Sequence, residues 1–231
     1  MNLGYSLVQR EHRVLLVDMD PQASLTLFMG LEPSELKQTI YETLIEDQSL
    51  PIHQDIHSID LVPSNIRLSG AELELATADM RDLRLKEALK LVRKQYDFIL
   101  IDCPPSLGIL SYISLVAATY VLVPIQTQYK AFCGTEMLLS TVTRVRGRAN
   151  RTLKIAGFIP TMYAARNSQD VRALEAIQQQ MTKYGKVFDP ILRATAFADA
   201  AEEHIPLAKH NAKQPALAVL SQIAMHLEQL P

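Results

Sequence analysis

The sequence predicts an α/β fold: one domain over residues 1–231 with a doubly wound, mostly parallel sheet and helices on both faces. Three observations carry this. Short apolar runs too continuous for one-sided strands recur at 13–17 (RVLLV), 59–62 (IDLV), 98–101 (FILI), 120–125 (YVLVPI), 155–160 and 187–192, the pattern of strands buried on both faces. Stretches with helical spacing lie between them, and strict alternation of the two is the mark of crossover units. The composition, 48% hydrophobic and 21% charged with a mean hydropathy of +0.04, supports a real core and argues against disorder or a disulfide-stapled miniature.

Residues 1–10 (MNLGYSLVQR) read as the back half of a helix, with Leu3, Leu7 and Val8 on one face. No capping residue or earlier strand introduces that helix, so the sequence opens in the middle of a βα unit. The segment from Pro33 to Pro63 is the most irregular and is expected to be a peripheral helix and loop. Later helices are expected over 82–95 (Leu85, Leu89, Val92), 132–146, 170–184 and 215–229. The stretch between Asp102 and Lys130 is uncharged and as long as a membrane span. Pro104, Pro105, Gly108 and Pro124 interrupt it, which favours a buried helix followed by a buried strand.

A net charge of −2 gives no push toward nucleic acid, although a local basic face can hide in a balanced total. The two cysteines, Cys103 and Cys133, form neither a disulfide framework nor a ligand spacing and are expected as buried thiols in a reducing compartment. The N-terminus lacks the basic segment and apolar stretch of a signal peptide.

In doubly wound sheets ligands bind beyond the carboxyl ends of the strands, so the residues just past each strand carry the functional signal. Asp18-Met19-Asp20-Pro21-Gln22 comes after the run at 13–17, and Asp102-Cys103-Pro104-Pro105-Ser106 after the run at 98–101. A carboxylate at a sheet's carboxyl edge can hold Mg²⁺ or its water shell beside a phosphate. A strand-ending Asp that merely caps the next turn is the plain alternative for either site alone. Two such sites, each continuing into a proline-stiffened loop, favour function.

The motifs VLLVDMDPQ (14–22), GAELELA (70–76) and IDCPPS (101–106) closely resemble the ParA/Soj branch of deviant Walker ATPases, the plasmid and chromosome partition proteins. The resemblance runs from residue 1 to about residue 165 and continues more weakly to the end. It implies a P-loop NTPase-like fold, ATP and Mg²⁺ as cofactors, a homodimer, non-specific DNA binding, a ParB-like activating partner and a cytoplasmic location, nucleoid-associated if DNA binding is retained. Carried across residue by residue, it gives Asp102 the metal role through water and Asp20 the task of orienting the attacking water, with Asp18 supporting the metal shell. Pro104, Pro105 and Ser106 become a switch loop that senses the γ-phosphate, and Thr161, Met162, Leu192 and Arg193 lie where relatives hold adenine.

One departure stands out. Relatives place a strand and a glycine-rich loop of the form KGGxGKTT ahead of the segment matched by MNLGYSLVQR, a unit of roughly 20 residues whose backbone amides and lysines grip phosphate. None of the eight glycines here opens a G-x-x-x-x-G-K-[ST] motif. Two readings stay open: a start placed at a methionine inside the first helix, or a relative that lacks the loop, binds ATP poorly and serves as a non-catalytic binding or regulatory protein.

Arg144, Arg146, Arg148, Arg151 and Lys154 form an acid-free run that either touches DNA phosphates or complements a helix end. Further cations stand at Arg166, Arg172, Arg193, Lys209 and Lys213, but AFADAAEEHIP (196–206) is acidic where many relatives are basic. His53 and His57 have the spacing of a helical metal pair without a third ligand, and a solvated loop is the simpler reading. The last helix carries an apolar stripe at Leu217, Leu220, Ile223 and Leu227; its polar face lacks the lysines and arginines of a membrane-surface helix.

Overall fold

The computed structural model describes the backbone of residues 1–231 and all side chains except those of residues 129–133. In chain order the elements are α1 (Asn2–Val8), β1 (Val14–Asp18), α2 (Ser24–Phe28), α3 (Ile40–Ile45), β2 (His53–Ile56), β3 (Ile59–Val62), α4 (Leu68–Thr77), α5 (Arg84–Val92), β4 (Phe98–Asp102), α6 (Ile109–Ala117), β5 (Tyr120–Gln126), α7 (Tyr129–Arg148), β6 (Lys154–Thr161), α8 (Ser168–Met181), α9 (Ala196–Glu202), α10 (Leu207–His210) and α11 (Ala216–Glu228). The result is the expected α/β architecture, with its strands in two groups. One is a four-stranded sheet of order β2-β3-β1-β4, the other a parallel pair of β5 and β6.

The continuous apolar runs work as predicted because each strand faces helices on both sides. In β1, Leu15 and Val17 point into a cluster with Ile40, Leu44, Leu75, Leu85 and Leu110, from α3 to α6. Val14 and Leu16 point the other way, against Leu7, Leu25 and Ala224 of α1, α2 and α11. The same alternation splits β4, with Ile99 and Ile101 on the first face and Phe98 and Leu100 on the second. This is the two-residue period of a pleated strand read on both faces.

Two helix pairs join the strand groups. Leu3 of α1 packs in clusters with both groups, and in α11 Ala224 faces one and Ile223 the other. On the opposite layer, Leu115 and Val116 of α6 pack on Val142 and Val145 of α7. Arg10 clasps the end of α11 through two bonds to Glu228, at 2.5 and 2.7 Å, and His12 adds a third at 2.9 Å. These partners hold the Glu228 carboxyl well below the usual range, at about 2.

Three expectations are corrected. Residues 187–192 make isolated bridges, Phe158 with Val187 and Tyr163 with Leu192, instead of a strand; Pro190 has no amide to donate to a ladder. Between Pro33 and Pro63, beyond the helix α3, β2 forms an antiparallel hairpin with β3. His53 therefore lies in a strand and His57 in its turn, with Nε2 of His57 2.8 Å from the carbonyl of His204, so the two histidines are not a helical metal pair. Cys103, expected to be buried, is an exposed free thiol on the turn leaving β4, while Cys133 falls outside the described residues.

Gly157 marks where the chain folds closest. A Cβ there would stand 2.8 Å from the Lys186 carbonyl and 2.6 Å from the Phe188 ring, and the β5–β6 register shifts at this point. Among the described residues no helix is long and apolar enough to cross a membrane, and the stretch after Asp102 is α6 followed by β5, as its prolines suggest.

Among the described residues, neither β4 nor β5 has a hydrogen-bonded neighbour on its second edge. Both are only partly buried, whereas every residue of β1 is buried. Unpaired apolar edges invite association. Sedimentation velocity on the 231-residue chain is expected to show concentration-dependent self-association; a monodisperse monomer across the micromolar range would contradict this.

Candidate functional site

Parallel pairing brings the acidic strand ends together. β1 and β4 run in register, so Asp18 stands opposite Asp102, and the amide of Met19 donates to the Asp102 carbonyl at 2.8 Å. Asp20 sits just beyond, on the turn into α2. It is partly exposed, and its Oδ1 accepts the Gln22 amide at 2.9 Å. The turn is tight enough to force Ala23 into the left-handed region, at φ 53°, which costs a non-glycine residue about 1 kcal/mol or more.

Asp18 is different from its neighbours. It is fully buried, and its two oxygens take three hydrogen bonds: Oδ1 from the Asp20 amide at 3.0 Å, Oδ2 from the Thr26 amide at 2.9 Å and the Thr26 hydroxyl at 2.7 Å. Burial pushes its carboxyl up to about 6, against those three bonds, which favour the charged form, and nearby Asp102 adds to the rise.

Asp102 has an exposed face at the end of β4. Desolvation by the protein packed behind it raises its pKa, and the charge of Asp20 reinforces the rise. A carboxylate so placed gains from a cation. Among the described residues, however, no three acidic, histidine or cysteine groups converge closely enough to hold a metal ion. Asp102 and Asp20 offer carboxylate oxygens, the donor chemistry a hard cation such as Mg²⁺ takes.

The loop after β4 is held from the next helix: the Ser111 hydroxyl of α6 donates to the Ser106 carbonyl at 2.5 Å and lies 3.4 Å from that of Pro104. Pro105 and Ser106 are exposed. At the carboxyl end of β6 the structure brings Thr161 and Met162 next to Leu192 and Arg193. Tyr163 bridges to Leu192 and its carbonyl accepts the Arg193 amide at 3.0 Å. Met162 and Leu192 are exposed apolar residues there, on the β5–β6 pair, whereas the three acids belong to the larger sheet.

The basic run Arg144, Arg146, Arg148, Arg151 and Lys154 is wholly exposed at the end of α7 and beyond, with Arg146 and Arg148 in that helix's last turn. Lys209 lies 3.2 Å from Nδ1 of His57 and over the Tyr5 ring, 5.5 Å from its centroid. Sequence reasoning missed Thr26, Ser64 and Ser111. A threonine two positions into a short helix carries no pattern that marks it as a buried node.

Comparison with known proteins bears on the fold and the family. The model of an AAA domain family matches residues 1–155. The sporulation initiation inhibitor protein Soj of Bacillus subtilis is 36% identical over 207 residues, covering 88% of this chain and 81% of Soj. The chromosome partitioning protein ParA of Myxococcus xanthus is 39% identical over 83% of this chain and 68% of its own length. Among solved structures, cobyrinic acid a,c-diamide synthase from Mycobacterium smegmatis, with a bound ATP analogue and magnesium, superposes with a TM-score of 0.87 at 30% identity, covering 99% of this chain and 86% of that one.

The buried Asp18 yields a pH prediction. Its folded pKa, about 6, lies above the ordinary 3.8, so its contribution to stability is fully present below pH ~4, is lost as pH rises through about 6, and is constant above that. Unfolding free energies at pH 4 and pH 7 should show the wild type losing roughly 2 to 3 kcal/mol relative to Asp18→Asn. A wild-type-to-variant difference that does not change over this range would contradict it.

Proposed function

The chain belongs to the ParA/Soj family of Walker-type ATPases, and from that membership we propose that it acts in plasmid or chromosome partition as an ATP-dependent homodimer. In this reading the ATP-bound dimer coats DNA without sequence preference, a ParB-like partner stimulates hydrolysis, and the protein works in the cytoplasm on the nucleoid. No membrane partner is proposed. The observation that carries the reading is the register pairing of Asp18 with Asp102, which sets Asp20 and Asp102 at one carboxyl edge.

Asp102 would hold Mg²⁺ through water, and the ion would supply neutralisation of charge on the transferring phosphoryl group. Asp20 turns its free oxygen toward the attacking water, because its other oxygen is occupied by the Gln22 amide. Pro104, Pro105 and Ser106 are the switch loop, tethered at its far end by Ser111, so movement there reaches α6 directly. Thr161, Met162, Leu192 and Arg193 supply a ledge for adenine. The exposed cations at the end of α7 are the face for DNA phosphates.

What this chain does not contribute is the phosphate grip, since none of its eight glycines belongs to a G-x-x-x-x-G-K-[ST] loop. The 231-residue chain by itself should therefore bind ATP weakly, and calorimetry with ATP and Mg²⁺ checks this; micromolar binding would contradict it.

The roles of the two acids are tested in the chain joined to a KGGxGKTT-bearing strand and loop, by following ATP binding, dimer formation and phosphate release together. Asp20→Ala should keep ATP binding and accumulate the dimer while turnover falls roughly 100-fold or more. Asp102→Ala should weaken Mg²⁺-dependent binding itself. Unchanged turnover in Asp20→Ala, or equal loss of binding in both variants, would overturn the assignment.

A further inference from the structure

We infer that Thr26 is a positioning residue for hydrolysis, holding the Asp20 turn in place through the buried carboxylate of Asp18. The inference rests on the reading of Asp20 as the water-orienting acid, and it gives Asp18 a task other than supporting the metal shell.

The geometry is a closed set of bonds. Thr26 is fully buried. Its hydroxyl has a single proton, which goes to Oδ2 of Asp18 at 2.7 Å, and its oxygen accepts the Ser64 amide at 2.9 Å. Ser64 lies just past the end of β3, so this one hydroxyl joins the carboxyl end of β3, the first turn of α2 and the carboxyl end of β1. Asp18 then passes the constraint on by accepting the Asp20 amide through its other oxygen.

The two sides of that carboxylate grip residues 20 and 26, which flank the left-handed Ala23. A strained residue persists only where its surroundings over-determine it, and the Asp18 bonds are what bracket it here. With no exposed surface and three of its roughly four lone-pair directions filled, Asp18 has little to offer a hydrated cation, whereas Asp102 and Asp20 both reach solvent.

Around the node, the Ser64 hydroxyl is the one buried side-chain polar atom without a partner among the described residues. The link to β3 therefore runs through the Ser64 amide onto Thr26 and not through its side chain. Replacing Thr26 by valine keeps the shape but leaves the Ser64 amide and one Asp18 oxygen each short of a partner. Serine keeps both bonds.

The test pairs Thr26→Val with Thr26→Ser. In the 231-residue chain, amide hydrogen exchange at Asp20 and Gln22 should speed up about tenfold or more in the valine variant and stay near wild type in the serine variant. In the chain joined to the phosphate-gripping segment, the valine variant should lower kcat roughly tenfold while KM for ATP stays within about twofold, and serine should restore kcat. Unchanged exchange in Thr26→Val overturns the tether; faster exchange with unchanged kcat overturns its role in hydrolysis. Asp20→Ala is run alongside: if it turns over ATP at the unmodified rate, the reading of Asp20 has failed, and the exchange data still decide whether Thr26 holds the turn.

Discussion

A parallel strand with neighbours on both edges and helices on both faces leaves no side chain free to face water, and β1 is that strand here. It pairs with β3 on one side and β4 on the other, and all of its residues are buried. Its apolar residues are divided between two helical layers by the pleat alone. Its last residue is an aspartate, so a charge is carried into the interior, where it must find hydrogen-bond donors or lose its proton-free form. The Thr26 hydroxyl and amide and the Asp20 amide are those donors, and the loop that carries the candidate hydrolytic acid is shaped by supplying them.

β4 shows the contrast. It has the same length as β1 and a similar apolar run, but is paired on one edge among the described residues, and its terminal Asp102 is exposed where Asp18 is buried. Two aspartates facing each other across a ladder thus differ in chemistry because of their position in the sheet. The buried one is suited to hold backbone and the exposed one to meet an ion. Asp20 stands between these extremes, with one oxygen spent on its own turn.

The strand groups on either side of this edge are kept together from above and below. α1 with α11 spans one layer and α6 with α7 the other, and Glu228, held by Arg10 and His12, fastens the chain's last helix to its first. The similarity to Soj covers 88% of this chain, and that to the cobyrinic acid a,c-diamide synthase 99%.

The runs at 13–17, 59–62, 98–101, 120–125 and 155–160, the helices expected over 82–95, 132–146, 170–184 and 215–229 and the acidic strand ends were legible in the sequence because hydrophobic period and strand-ending charge are local properties. The hairpin at His53–Ile56 was not, since HQDI carries no apolar alternation and is held by its partner β3; the run at 187–192 has a strand's composition, but Pro190 and its place beyond β6 leave it only bridges. What the sequence determined by itself was the layered α/β class, the family resemblance and the identity of the acids at the strand ends. Only the tertiary structure decided which acid is buried, that Thr26 closes on Asp18 from 8 residues away and Ser64 on Thr26 from 38, and that Ser111 ties the proline loop. Hydrogen bonds of that kind depend on which chain ends the sheet brings together, and no local pattern of residue types records that.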